Sequence, residues 1–139
     1  MSLLSVFPIA ASGMVAEAQR LAVVASNIAN TNSTAGPNGQ PYRAREPVFQ
    51  AVPLSGAESG PASTGLAGVR VAAIVQSAEP FHQAYDPSSP NANASGYVES
   101  ANVDPSETFV NMISSQQDYQ ADLEAFNVAK TLAQRTLSI

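Results

Sequence analysis

The residues of this chain that could carry acid–base chemistry are few. The single histidine, His82, stands in the segment 79–83 and could act as a general base if Asp86 or Glu79 oriented its ring. A loop or strand histidine without a catalytic role is the favoured interpretation. The sequence has no G-x-S-x-G elbow, no phosphate-cradling glycine-rich loop and no H-E-x-x-H motif. An enzyme is therefore the least favoured class, and we predict no catalytic residues and no cofactor.

Metal binding is also poorly supported. Asp118 and Asp122 are four residues apart on a predicted helix and could hold a cation from one helix face. A solvated face, or an ion pair with an arginine of a neighbour, is favoured. The chain has no cysteine, which excludes disulfides and thiolate metal sites. With one histidine, a zinc site built from several histidines is excluded as well, and we predict no metal.

Composition narrows the classes of partner. The chain has 139 residues and a net charge of −5, and 12% of its residues are charged, about half the usual globular share of roughly 25%. This acidity argues against nucleic-acid binding, which needs a basic face. No segment approaches the roughly 20 apolar residues of a membrane helix. Residues 3–15 are apolar, but neither Lys nor Arg precedes them, so we expect no cleaved signal peptide.

Residues 5–30 have the pattern of one helix. Ser5 is the expected N-cap, with Pro8 in the first turn, and Asn27, Asn30 and Asn32 are expected to end the helix through local hydrogen bonds. Large apolar residues form a heptad-like seam: Leu3, Phe7, Ala10, Met14, Leu21, Val24 and Ile28. A second stripe is made of small residues: Ala11, Ala18, Ala22, Ala25 and Ala29. A helix with so little polar surface requires neighbours on more than one side.

The middle of the chain has the pattern of a small β region with long connections. Strands are predicted at residues 42–52, interrupted by Pro47, at 68–77 and at 97–99. The segments 36–39, 55–65 and 87–96 are predicted loops, rich in Gly, Pro, Ser and Asn.

Residues 105–138 predict a second, longer helix. Asp104 is the expected N-cap, Pro105 the first helical residue, and Glu107 completes a capping box. The expected seam is Phe109, Met112, Gln116, Tyr119, Leu123, Phe126, Ala133 and Leu137. A helix of this length spans on the order of 50 Å, whereas a compact domain of this size has a radius of gyration of about 14 Å. The terminal helices must therefore pair with each other, with neighbouring subunits, or with both.

These elements predict an α+β fold in which two long terminal α-helices pair as an antiparallel, coiled-coil-like unit around a small irregular β-rich middle region. The expected division is an N-terminal helix in 1–32, the β-rich region in 33–102 and a C-terminal helix in 103–139. Two interpretations remain open from composition and periodicity. One is a subunit of an assembly, favoured because few charges occupy the seams, and the other is a helical hairpin with a β insert that folds alone.

Several segments resemble one protein family. Residues 9–14, Arg20-Leu21 and residues 25–30 resemble the N-terminal signature of bacterial flagellar rod and hook proteins. Tyr42-Arg43, Gly96-Tyr97-Val98 and Asn102-Val103 are similar to its proximal-rod members. The C-terminal segments 109–114, 119–121, 124–127, 129–131 and 136–137 carry the strongest resemblance. The match covers nearly the whole chain. It departs from the family pattern at Asp122, where Asn is usual, and at Gln117, where Arg is usual.

The resemblance implies a structural subunit of the flagellar basal body, located in the periplasmic rod. Such proteins are exported by the flagellar type III export apparatus without a cleaved signal peptide, and they assemble helically into the drive shaft for motility. The helices would form the inner tube around the export channel, with the β region further out. Implied partners are the rod proteins FlgB, FlgF and FlgG, the junction protein FliE and the MS-ring protein. Alternatives are another type III-exported axial protein of rod or hook type, or a secreted interaction module that does not polymerise.

The expected assembly interface consists of the two helix seams and two asparagines of the N-terminal motif. Its members are Phe7, Met14, Leu21, Val24, Asn27, Ile28, Asn30, Phe109, Met112, Tyr119, Leu123, Phe126 and Leu137. No nucleic acid and no direct membrane insertion is expected.

Overall fold

The computed structural model describes residues 5–34, 39–53 and 66–137. In chain order its elements are α1 (Val6–Ala29), β1 (Arg45–Pro53), β2 (Ala67–Gln76), β3 (His82–Tyr85), β4 (Tyr97–Ser100) and α2 (Pro105–Leu137). Two terminal helices flanking a small antiparallel β region confirm the predicted α+β class. Leu3, most of the predicted loop at 36–39 and the predicted loop at 55–65 lie outside the described residues.

Helix α1 is the central layer of the molecule. It packs against α2 on one side and against the β1–β2 hairpin on another, whereas α2, among the described elements, packs only on α1. The helices run antiparallel, since Phe7 near the start of α1 meets Phe126 late in α2, and Arg20 further along α1 meets Asp118 earlier in α2.

The β region consists of two separate two-stranded sheets. Strands β1 and β2 pair antiparallel from Arg45↔Gln76 to Pro53↔Ala67, with a register shift at Val48/Phe49. The strand continues through Pro47, because a strand in a two-stranded ribbon has a free edge where the missing N–H is tolerated. The sequence pattern did not predict β3. It pairs with β4 from His82↔Ser100 to Tyr85↔Tyr97, and the two tyrosine rings pack edge-to-face at 5.3 Å.

The two helix starts differ. The Asp104 carboxylate accepts hydrogen bonds from the backbone N–H groups of Ser106 at 2.7 Å and Glu107 at 3.1 Å, which confirms the predicted cap. Ser5 occupies the N-cap position of α1, but its backbone is already helical and its side chain makes no capping hydrogen bond. The capping prediction for Ser5 is therefore wrong in its chemistry, although α1 begins where the pattern placed it.

The hydrophobic core is made of small residues. Among the described residues, the buried apolar side chains are Ala10, Ala16, Val23, Val24, Val98, Ala101, Val103 and Ala129. No helix in the described ranges is long and apolar enough to cross a membrane. The larger apolar side chains, including those of the helices, are half-buried or exposed in the single chain.

Candidate assembly interface

The contact between α1 and α2 combines one aromatic pair with rows of small residues. Phe7 and Phe126 pack edge-to-face with their ring centroids 5.1 Å apart. On α2 the buried residues are Thr108, Ser115 and Ala129, which lie at intervals of seven and fourteen along the sequence. Small side chains at these positions let the backbones of the two helices approach closely, as in other close helix–helix contacts.

Only one side of the predicted seam of α2 packs against α1. The half-buried members of this seam are Met112, Tyr119, Phe126 and Ala133. Beside them, a second row of residues faces α1: Thr108, Ser115, Asp122 and Ala129. The sequence pattern instead paired them with larger residues one position later. Three of these, Phe109, Leu123 and Leu137, are 48%, 41% and 87% exposed in the single chain. They belong to the predicted assembly interface, and their role there stays a prediction.

The predicted seam of α1 lies against its neighbours in the chain. Val24 is buried, and Phe7, Met14, Leu21 and Ile28 are half-buried. The alanine stripe of α1 shows the opposite behaviour. Ala11 is half-buried, and the remaining members of the stripe are exposed: Ala18, Ala22, Ala25 and Ala29. The described part of the chain thus covers the large-residue face of α1 and leaves most of its small-residue face open.

The helices approach closely at Gly13. A Cβ added there would lie 2.8 Å from Cγ of Asp122, far inside the van der Waals distance, so the Asp122 carboxylate occupies the space that a side chain at position 13 would need. A larger residue at position 13 would have to displace this carboxylate, whereas the helical backbone of Gly13 sets no requirement for glycine.

A small charge cluster lies beside this contact. The Arg20 guanidinium is 3.4 Å from Glu17 and 3.5 Å from Asp118, so an arginine of the same chain takes the place of the neighbour's arginine that the sequence allowed for. Burial raises the pKa of Glu17, and this effect outweighs the lowering by Arg20. Burial also raises the pKa of Asp122, and the negative charge of Asp118 raises it further. The Arg20 guanidinium contacts two carboxylates, Glu17 and Asp118, and the nearby Asp122 adds a third negative charge, so helix pairing carries an electrostatic cost at neutral pH.

Asn27 connects α1 to the β1–β2 hairpin. Its side-chain amide donates to the Arg45 carbonyl at 2.9 Å, and its Oδ1 accepts from the Arg45 backbone N–H at 3.0 Å and from the Tyr42 hydroxyl at 2.9 Å. Asn27 was expected to end the helix through local hydrogen bonds. This expectation is wrong, because Asn27 is buried inside α1 and its amide bonds across the fold. Asn30 does end the helix, and its Nδ2 donates to the Ser26 carbonyl at 2.8 Å.

A second buried asparagine connects the two sheets. The Oδ1 of Asn102 accepts from the Ala44 N–H at 2.8 Å, and its Nδ2 donates to the Glu79 carbonyl at 2.9 Å. Arg43 donates to the carbonyls of Ser77 and Glu79 and lies over the Phe81 ring at 4.3 Å. We call Asn27, Tyr42, Arg43 and Asn102 the polar junction. All four lie in segments that carry the family resemblance, but only Asn27 was selected as a site residue, because contacts between distant segments are invisible to periodicity.

The candidate acid–base residues form no hydrogen-bonded pair in the described part of the chain, although His82 and Glu79 line one cavity. His82 is the exposed first residue of β3, and the Asp86 carboxylate, beyond the other end of that strand, accepts hydrogen bonds from Ser88. Four residues of extended chain separate His82 from Asp86 by roughly 13 Å, which is too far for Asp86 to orient the imidazole. Within residues 5–34, 39–53 and 66–137, no three His, Cys, Asp or Glu side chains are grouped as metal ligands would be.

Two family models match the ends of the chain. Residues 7–37 match "Flagella basal body rod protein", and residues 94–139 match "Flagellar basal body rod FlgEFG protein C-terminal". The first match covers α1 and the second covers β4 and α2, the elements that carry the helix–helix contact.

Several relatives match this chain over nearly their whole length. The chain is 45% identical over 139 residues to a flagellar basal-body rod protein FlgC of Yersinia enterocolitica, covering 100% of this chain and 98% of the relative. It is 42% identical, with the same coverage, to the FlgC protein of Salmonella typhimurium strain LT2. It is 36% identical to that of Bacillus subtilis strain 168, over 94% of this chain and 93% of the relative.

Proposed function

Because the chain belongs to the FlgC family and is a structural subunit of the bacterial flagellar basal-body rod, we propose that it builds the proximal part of that rod by helical packing with copies of itself and of other rod proteins. In this proposal the α1–α2 pair lies towards the axis and lines the export channel. The β region lies further out, against neighbouring subunits. The protein acts mechanically, as part of the drive shaft for motility, and carries out no catalysis.

The observation that carries the proposal is the amount of surface that the single chain leaves uncovered. The accessible surface is 9318 Å², whereas a compact monomer of 14.4 kDa has roughly 6,800 Å². The excess is several times the roughly 800 Å² that one partner contributes to a standard interface. A subunit that packs against several neighbours at once would cover surface of this kind.

Exposed apolar residues support the same proposal. Helix α2 exposes Phe109, Val110, Ile113, Leu123, Val128, Leu132 and Leu137. A soluble protein that functions alone rarely exposes so many large apolar side chains on one element. In a rod these side chains become buried between subunits, and many modest contacts made together resist torque.

We further propose that the chain reaches the periplasm through the flagellar type III export apparatus. Its neighbours in the rod are FlgB, FlgF and FlgG, with FliE and the MS-ring protein at the membrane end. The polar junction supports a fixed position of the β region relative to the helices, which an outer contact with such neighbours requires.

The first experiment quantifies this chain by mass spectrometry in basal bodies from which filaments and hooks have been removed. Several copies per basal body are expected, together with the other rod proteins. Absence of the chain from basal bodies that contain the other rod proteins would contradict the proposal and favour a secreted interaction module.

A second experiment tests whether the helix seams carry the assembly. Leu21→Asp and Phe126→Asp place a charge in the half-buried seam of each helix, and each is expected to abolish motility and incorporation into basal bodies while the chain is still expressed. Gln117→Asp, on the exposed side of α2, is the matched control and is expected to retain motility. Normal swimming of either seam variant would refute the role of the seams.

A further inference from the structure

The two ends of the β1–β2 hairpin are attached to α1 by different side chains. At one end, Asn27 of α1 bonds the backbone N–H and carbonyl of Arg45. At the other end, the backbone N–H of Val69 in β2 donates a hydrogen bond to Oγ of Ser12 in α1 at 3.0 Å. This N–H points towards the helix and away from β1, so Ser12 satisfies a donor on the free edge of β2.

The Ser12 hydroxyl is oriented by its own helix. It donates to the backbone carbonyl of Ile9, three residues earlier in α1, at 2.7 Å. A serine hydroxyl has one hydrogen to donate and two lone pairs that accept, so this bond leaves the lone pairs for the Val69 N–H. Ser12 therefore donates inside α1 and accepts from the hairpin at the same time.

The hairpin is most deeply buried beside this attachment. Gly68, the residue before Val69, is the only buried residue of strands β1 and β2, and a glycine within a strand marks a close approach of another part of the chain. Between the two attachments the hairpin and α1 enclose a groove of about 540 Å³, lined in part by Ala22, Val23 and residues 71–74. Apolar packing is therefore incomplete in the middle of the hairpin, and the polar attachments at its two ends carry more of the contact.

The spacing of the two attachments is the same on the helix and on the hairpin. Ser12 and Asn27 are fifteen residues apart in α1, which corresponds to a rise of about 22 Å along a helix. Val69 and Gln76, the ladder partner of Arg45, are seven residues apart in β2, which corresponds to about 23 Å along a strand. The hairpin therefore lies along α1 with both ends bonded and without stretching either element.

We propose that Ser12 is a positioning residue for assembly, which holds the Val69 end of the hairpin on α1 so that the helix and the hairpin move as one rigid body. The role in assembly rests on the proposed rod function. A single attachment at Asn27 would let the far end of the hairpin swing away from the helix, whereas a second attachment about 22 Å away prevents this movement. In a rod, the hairpin then meets its neighbour in one orientation and passes load to α1 at two points.

Three variants of the full chain separate this role from a general effect on stability. Ser12→Ala removes the hydroxyl. Ser12→Thr keeps a hydroxyl in the same place, since a helical threonine also bonds the carbonyl three or four residues earlier. Ser114→Ala is the matched control, because Ser114 is a half-buried serine of α2 whose hydroxyl donates to Asp118 of the same helix.

Amide hydrogen exchange of the purified chain, resolved by NMR, measures the attachment itself. In Ser12→Ala the Val69 amide is expected to exchange about fivefold faster than in the native chain, as the loss of one hydrogen bond predicts. The Arg45 amide, which is bonded to Asn27, is expected to keep its native rate. Ser12→Thr and Ser114→Ala are expected to leave both rates unchanged. A Val69 amide that is equally protected in Ser12→Ala, or unprotected in the native chain, would overturn the inference.

Mass spectrometry of basal bodies from strains that express each variant measures the role in assembly. Incorporation is expected to fall severalfold for Ser12→Ala and to stay at the native level for Ser12→Thr and Ser114→Ala. Native incorporation of Ser12→Ala, or a loss that Ser12→Thr does not restore, would overturn the positioning role while the proposed rod function still stands. If the native chain itself is absent from basal bodies, the rod function fails and the role of Ser12 in assembly fails with it, whatever the exchange rates.

Discussion

Helices α1 and α2 both carry heptad-spaced apolar residues, but α1 is the more apolar helix and the two have different surroundings. Helix α1 has 24 residues and contacts α2, β1 and β2, and five of its residues are buried. Helix α2 has 33 residues and, among the described elements, contacts only α1, and three of its residues are buried. Periodicity shows which apolar residues favour burial, whereas the number of neighbouring elements within the chain decides which of them are buried. The uncovered residues of α2 are those that an assembly can use.

The largest expected difference in stability between the two helices comes from placing a charge in each of them. Val24→Asp puts a carboxylate at a position of α1 that is 6% exposed, and is expected to cost about 3 kcal/mol or more of unfolding free energy, because burial desolvates the charge. Val128→Asp puts the same group at a position that is 59% exposed on α2, and is expected to change stability by less than about 0.5 kcal/mol. Urea unfolding of both purified variants measures the two effects. Equal losses would show that α1 is no better covered than α2.

A matched pair of asparagines tests the polar junction. Asn27→Ala removes three hydrogen bonds to Tyr42 and Arg45. The Arg45 backbone groups lose this partner while the Tyr42 hydroxyl keeps Ser26, so a loss of about 1–3 kcal/mol is expected. Asn127→Ala, at an exposed position of α2, is expected to be nearly neutral. Thermal unfolding followed by circular dichroism compares them. A neutral Asn27→Ala would mean that water replaces the amide and that the junction does not fix the hairpin.

The effect of Gly13→Ala on stability is expected to change sign when Asp122 is replaced. Gly13→Ala is expected to destabilise the chain by about 1–2 kcal/mol, because the Asp122 carboxylate must move away from the new Cβ. In an Asp122→Ala background the space is free, and the same change is expected to stabilise by up to about 1 kcal/mol through helix propensity. Denaturant unfolding of the four chains of this double-mutant cycle gives the coupling. Additive effects would show that the helices do not approach closely at Gly13.

The smallest expected effect is electrostatic and depends on pH. The pKa values of Glu17 and Asp122 are raised in the folded chain above their ordinary values of 4.5 and 3.8, so the folded state binds these protons more tightly than the unfolded state. Their contribution to stability is therefore most favourable below these ordinary values, and is lost as the pH rises through the raised pKa values. Asp122→Asn is expected to stabilise the chain at pH 7 by less than about 1 kcal/mol and to flatten the pH dependence of unfolding between pH 4 and 7. A destabilising Asp122→Asn would show that the carboxylate is instead favourably paired.

Local patterns predicted much of the fold. The Asp104-Pro105 start of α2 was predictable because the cap bonds residues two and three positions away. Strand β2 was predictable because four β-branched residues are concentrated within its ten residues, and α1 because its apolar spacing is helical. Strand β3 was not predictable, since its four residues are all exposed and only their pairing with β4 makes them a strand.

The positions of the helices, the cap of α2, the α+β class and the family all followed from the sequence. The helices, the cap and the fold class depend on residues close together in the chain. The family depends on sequence identity along the whole chain. The side of each seam that packs was visible only in the fold, where Thr108, Ser115 and Ala129 are buried while Phe109 and Leu123 stay exposed. Periodicity fixes a stripe on a helix but not its rotation towards a neighbour. That rotation depends on how closely two backbones can approach, and here small side chains and Gly13 allow a close contact.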